Sequence, residues 1–123
     1  MYKSSRDKGS SVPTIDRELF DPFGEDSGLN WEEERPGVYE RVVYEDEDGQ
    51  CTRFVRMEPG AEIPDRITHD FYEEVFIIEG GLIDTHLDEV FTRGMYCCRT
   101  PGMEHGPYVA PIGCLTIGHR YYD

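Results

Sequence analysis

No apolar run in the sequence approaches the ~18–20 residues that a membrane-crossing helix needs. Nor does any stretch hold the apolar periodicity of a helix over about ten residues, so helix is expected to be minor. Basic residues are scarce: 12 Lys and Arg stand against 26 Asp and Glu, for a formal charge of −14 and a pI near 4.5. That imbalance excludes nucleic acid and anionic membrane as main partners, since either polyanion is repelled by most of the surface. It suits solubility, for example in a salty cytoplasm. The four cysteines, Cys51, Cys97, Cys98 and Cys114, form no C-x-x-C pair and no zinc-finger spacing. Free, reduced thiols are expected, with Cys97 and Cys98 facing opposite ways if they share a strand. Met1 to Phe20 contain no apolar signal-peptide core, so the expected address is cytoplasmic. No internal repeat is visible.

A chain of 123 residues supports one domain. Residues 1–35 are rich in Ser, Gly, Pro and acid, with scattered apolar positions such as Val12, Ile15, Phe23 and Leu29. They read as an irregular arm laid over the body of the protein, with a mobile first dozen residues and with Phe20 and Trp31 as anchors. From 36 to 123 the punctuation becomes regular. Short apolar or aromatic runs, Gly37–Tyr44, Cys51–Met57, Glu74–Ile78, Gly81–Leu87, Met95–Arg99 and Gly113–Tyr121, alternate with turn signals. This is the pattern of an all-β domain. Asp48-Gly49 marks a hairpin, and Glu79-Gly80-Gly81 reads as another break between strands.

Chemistry gathers around the histidines. His69 precedes Glu73 by four residues, Asp70 and Glu74 lie nearby, and His105 follows Pro101-Gly102. Two imidazoles and a carboxylate around open coordination positions suit non-haem iron, manganese, nickel or zinc. On spacing alone, a surface or structural histidine beside a glutamate reads the same way.

Gly60 to His105 resembles both motifs of the cupin superfamily. The first motif runs roughly G-x5-H-x-H-x3-E-x6-G. Gly60 opens it one residue early, His69 takes the second histidine position, Glu73 follows after three residues and Gly80 closes it. The second is matched by Gly94-Met95-Tyr96 leading through Arg99-Thr100-Pro101-Gly102 to His105. Within the superfamily the chain is most similar to the ChrR-like cupin domain, which shares the strand Glu73-Glu74-Val75-Phe76-Ile77-Ile78-Glu79-Gly80 and the Gly113-Cys114 pair; the similarity covers about residues 37–121.

The resemblance implies a jelly-roll (double-stranded β-helix) barrel with one divalent metal per chain, Fe(II) favoured over Mn, Ni or Zn, on His69, Glu73 and His105. It implies a small-molecule substrate or ligand and a homodimer paired through a sheet edge. The reaction expected is of the dioxygenase type on an oxygen-chelating compound. Metal-dependent isomerase, lyase or cyclase chemistry and non-catalytic ligand or metal sensing are the alternatives. An anti-sigma role is not expected, because the N-terminal residues show neither the His and Cys nor the helical periodicity of a zinc-binding segment that grips a sigma factor. Two departures stand out. Ile67 occupies the first histidine position, and the asparagine that ends the second motif is absent. His86 or His119 is a candidate to replace the missing ligand. If not a ligand, Glu73 is a candidate catalytic base, its pKa raised by apolar surroundings. With Glu73 pointing inward, alternation puts Val75 and Ile77 inside and Glu74 and Phe76 outside. Arg53, Arg56 and Arg99 either orient an anionic substrate or form surface ion pairs. His86 reads as an exposed strand-end residue, and His119 and the tail Arg120-Tyr121-Tyr122 as packing.

Overall fold

The structure, a computed structural model, describes residues 17–122. The mobile first dozen residues expected from the sequence, with Val12 and Ile15, lie outside the described residues. Apart from one short 3-10 turn at Glu25–Ser27, the regular elements are strands: β1 Glu32–Arg35, β2 Val38–Glu45, β3 Cys51–Met57, β4 Ala61–Ile63, β5 Tyr72–Asp84, β6 Glu89–Thr92, β7 Tyr96–Arg99, β8 Tyr108–Ala110 and β9 Cys114–Tyr121. Among the described residues, no helix is long and apolar enough to cross a membrane.

The strands curl into the jelly-roll expected from the sequence, hydrogen-bonded in the order β1-β2-β3-β9-β5-β8-β4, with β6 and β7 also paired to β5. Every pairing is antiparallel. Along β9 buried and half-buried residues alternate, so that one face turns toward the interior, whereas β1 is exposed along its length. Val38, Met57, Ala61, Ile77, Ala110 and Cys114 form the buried core, with Val55, Ile63, Leu82 and Phe91 packed against it.

The break expected at Glu79-Gly80-Gly81 does not end a strand. β5 runs through it, pairing with β7 and β9 along its first part and with β6 and β8 along its last. The register slips between Ile77 and Glu79, and Gly80 takes φ 76°. A Cβ on Gly80 would lie 2.1 Å from the Gly113 carbonyl oxygen, so the backbones meet where glycine alone fits. A turn-like dipeptide thus serves as the bend that carries one strand across the barrel. Strands β4, β6 and β8, three or four residues each, are too short to show periodicity and were not legible from the sequence.

Glu32–Arg35, read as part of the arm, adds β1 at the edge of the sheet. Upstream of it, Trp31 anchors the arm as expected, with the guanidiniums of Arg41 and Arg56 4.7 and 4.9 Å from its ring centre. The second anchor is Phe23 rather than Phe20. Phe23 packs 4.7 Å from Phe54 and stacks at 6.3 Å on Trp31, whereas Phe20 is exposed. Arg41 also donates to the Pro22 carbonyl at 2.6 Å. Phe23→Ala is expected to cost about 1 kcal/mol, the scale of an aromatic pair, read as a lower urea midpoint at constant slope. An unchanged midpoint would show that Phe23 does not anchor the arm.

Candidate metal centre

β5 presents Glu73 inward, and Val75 and Ile77 line the interior cavity, as alternation predicts. Phe76 is 44% exposed, and Glu74 accepts a hydrogen bond from exposed Tyr96 on the other face. His69 lies just before β5 and His105 just before β8. Their segments are tied by backbone hydrogen bonds. Ile67 N–H donates to the His105 carbonyl at 2.8 Å, His105 N–H returns the bond at 2.9 Å, and Gly102 N–H donates to the His69 carbonyl at 2.9 Å. Ile67, which stands where a histidine was missing, thus clamps the segment that carries His105.

The ligating atoms of His69, Glu73 and His105 lie within 4.8 Å of one another. His69 Nε2 is 3.3 Å from His105 Nε2 and 3.3 Å from Glu73 Oε1. Neighbouring groups orient both rings. His69 Nδ1 donates to the Phe71 carbonyl at 3.1 Å while its ring stacks on Phe71, centres 4.0 Å apart. His105 Nδ1 lies 2.9 Å from the Tyr108 hydroxyl. Each ring is therefore held through Nδ1, with Nε2 turned to the shared centre, the arrangement that metal-ligating histidines adopt. Metal–ligand bonds of ~2.0–2.2 Å suit the two 3.3 Å separations from His69 Nε2. The donor set fits a divalent metal.

His86 and His119 do not replace the missing ligand. His86 is exposed beyond the end of β5, as expected, although it lines the cavity mouth. His119 pairs with Glu74 across β5 and β9, which places it on the outer face, where it contacts Thr52 at 3.0 Å and stacks on Tyr121. Its neighbour Arg120, read from the sequence as packing, pairs with Glu73 and turns inward.

Glu73 is surrounded by guanidiniums. Arg99 reaches Oε1 at 3.2 Å, while Arg120 and Arg53 reach Oε2 at 3.4 and 3.6 Å. Arg99 and Arg120 sit directly opposite Glu73 on the two flanking strands, β7 and β9. Arg53 comes from β3, where its partner on β9 is Gly118, which offers no side chain in its path. Arg53 also binds Glu34 and Glu40, whereas Arg56 packs on Trp31 and Tyr39 away from the centre. The raised pKa expected of Glu73 is corrected here. Burial does push it up, but Arg99, Arg53, Arg120 and His69 together outweigh burial and hold the carboxyl below its usual range. An anion so stabilised is a poor general base. Burial, reinforced by Arg99, lowers the pKa of His105 to about 4, so its imidazole is neutral at neutral pH.

A cavity of about 270 Å³ reaches this centre at His105 and Arg99. Val75, Ile77, Leu82, Phe91 and Met95 form its apolar wall, and Asp84, Arg99, His105 and Tyr108 its polar end. Asp84 is satisfied locally, accepting from the His86 and Leu87 N–H groups at 2.9 Å each. The four cysteines are free, Cys97 facing the cavity and Cys98 exposed, as the strand alternation requires. Arg120 escaped the sequence reading because its role comes from cross-strand register, for which a single sequence carries no signal. Phe71, Tyr108 and Asp84 act on residues two or three positions away, through loop geometry that no motif marks.

Residues 23–121 match the family model of the ChrR cupin-like domain. No curated protein matches the sequence. Among solved structures, an RmlC-like cupin from Shewanella frigidimarina superposes with a TM-score of 0.67 at 18% identity, over 82% of this chain and 90% of that one. A chain from the Rhodobacter sphaeroides SigE complex with the anti-sigma ChrR gives 0.62 at 17% identity, over 79% of this chain and 51% of that one. An acetylacetone dioxygenase from Acinetobacter johnsonii gives 0.66 at 14% identity, over 87% and 76%. Similarity at this level establishes the fold.

Proposed function

This chain belongs to the ChrR cupin-like domain family, and from that premise we propose that it is a metal-dependent enzyme of the dioxygenase type, acting on a small oxygen-chelating organic molecule. In this reading His69, Glu73 and His105 hold one divalent ion, Fe(II) in preference to Mn, Ni or Zn. The observation that carries it is the convergence of three ligating atoms within 4.8 Å, one of them on His105, which also lines a largely apolar-walled cavity. When bound, the ion would supply a Lewis acid for polarising substrate oxygens. The protein's own groups do the rest. Phe71 and Tyr108 fix the imidazole orientations, the apolar wall excludes water, and Arg99 stands beside the centre to orient substrate. The occurrence of an acetylacetone dioxygenase on the same fold supports the choice of reaction class.

The guanidiniums around Glu73 favour a second reading, a non-catalytic domain that binds an organic ligand, because they weaken the hold on any cation. Metal analysis separates the two. Protein purified without chelator or affinity metal is expected to carry close to one divalent ion per chain. His69→Ala and His105→Ala are each expected to carry almost none while keeping the wild-type circular dichroism spectrum. A metal-free wild type that takes up no Fe(II), Mn(II) or Zn(II) would sink the metalloenzyme reading.

A further inference from the structure

Of the three guanidiniums on Glu73, that of Arg99 also lines the cavity. Its Nη1 donates to Glu73 and its Nη2 donates to the Tyr108 hydroxyl at 2.8 Å, which uses part of the donor fork of a guanidinium. The same hydroxyl lies 2.9 Å from His105 Nδ1, so Arg99 and Tyr108 form one polar rim beside the histidines.

Arg99 shares its one carboxylate, Glu73, with two other guanidiniums, although the whole chain is acidic. Glu73 faces Arg53, Arg99 and Arg120, and of these Arg53 is further answered by Glu34 and Glu40. Asp84, a carboxylate on the wall, accepts two backbone N–H groups at Oδ1. At the rim, Arg66 and Glu104 pair with each other at 3.8 Å. Burial raises the pKa of the Cys97 thiol, so it adds no anion. A buried guanidinium facing an apolar wall is best matched by a carboxylate, which accepts two parallel N–H bonds and neutralises the charge.

We infer that the cavity takes a small organic acid, its carboxylate held by Arg99 and Tyr108 and its apolar body against Val75, Ile77, Leu82 and Phe91. This rests on the reading of the cavity as the functional site and narrows its substrates from oxygen-chelating molecules at large to acids. Arg99 is then a residue that determines specificity, and Tyr108 positions both the acid and His105.

The test is calorimetric titration of benzoate and 4-methylpentanoate against their amides, benzamide and 4-methylpentanamide, into metal-free and metal-loaded protein. Each acid is expected to bind at least about tenfold more tightly than its amide, the scale of a hydrogen bond to a charged group. Arg99→Gln should abolish that preference and leave affinity for the divalent ion unchanged or higher, since a neighbouring cation is removed. A purely structural role for Arg99 would lower both affinities together. Tyr108→Phe keeps the ring, removes the hydroxyl and should reduce the preference, which gives a second handle should Arg99→Gln not fold. Equal binding of acid and amide, no binding of either, or a preference that survives both substitutions would overturn the inference. Acid preference without any metal uptake would leave it standing and remove the metalloenzyme reading; metal uptake without acid preference would do the reverse.

Discussion

Glu73→Gln is expected to destabilise the protein by about 3–5 kcal/mol, the cost of breaking a buried ion pair from one side. Glu73 is 5% exposed, and its carboxylate answers three guanidiniums. Glutamine keeps the shape and one acceptor but removes the charge. Arg99, whose side chain is 12% exposed, would then stay buried with no anion against it, and Arg120 would lose the carboxylate it is drawn to. Arg53 is the least affected, because Glu34 and Glu40 still bind it. The loss should appear in urea unfolding and as a fall in melting temperature on the order of 10 °C or more. A double variant, Glu73→Met with Arg99→Met, should recover much of it, since replacing a buried pair by apolar groups of similar volume is often close to neutral. A loss for Glu73→Gln below ~1 kcal/mol, the range of exposed pairs, would show that water screens the cluster.

Acid should unfold the metal-free protein in two stages. In the folded protein His105 has its pKa lowered from 6.5 to about 4, chiefly by burial. Between those values the unfolded chain holds a proton that the folded chain does not, so falling pH favours unfolding. The contribution of His105 is complete above pH 6.5 and is lost as pH falls to about 4. Its size is roughly 1–3 kcal/mol, from the free energy equivalent of a pKa shift. Glu73 acts at lower pH. Its folded pKa lies below the ordinary 4.5, so its stabilisation is present above 4.5 and is lost as pH falls through the folded value. Melting temperatures in chelator from neutral pH downward should therefore decline first through His105 and then through Glu73. His105→Gln should flatten the first decline and leave the second. A wild-type melting temperature that stays level from neutral pH to pH 4.5 would show that His105 is not desolvated as the geometry implies.

These effects belong to parts of the centre that differ in how far a sequence reveals them. His69, Glu73 and His105 were legible because a strand, a turn and a short loop place them at fixed offsets within recognisable motifs, and the inward set Glu73, Val75, Ile77 followed from the period of two along one strand. The all-β class was legible for a similar reason, since apolar runs and turn residues are local signals. Arg99, Arg120 and Arg53 come together on Glu73 through the register of β7, β9 and β3, which is set by which strands pair and not by the residues between them. The same distinction explains Gly80-Gly81. Its composition marks a departure from regular strand geometry, but the approach of Gly113 makes it a bend within β5 and not a turn between two strands. The sequence by itself thus determined the fold class and the identity of the candidate ligands. The tertiary structure decided the electrostatics of the centre, because charges distant along the chain interact only once strand pairing has brought them within a few ångströms.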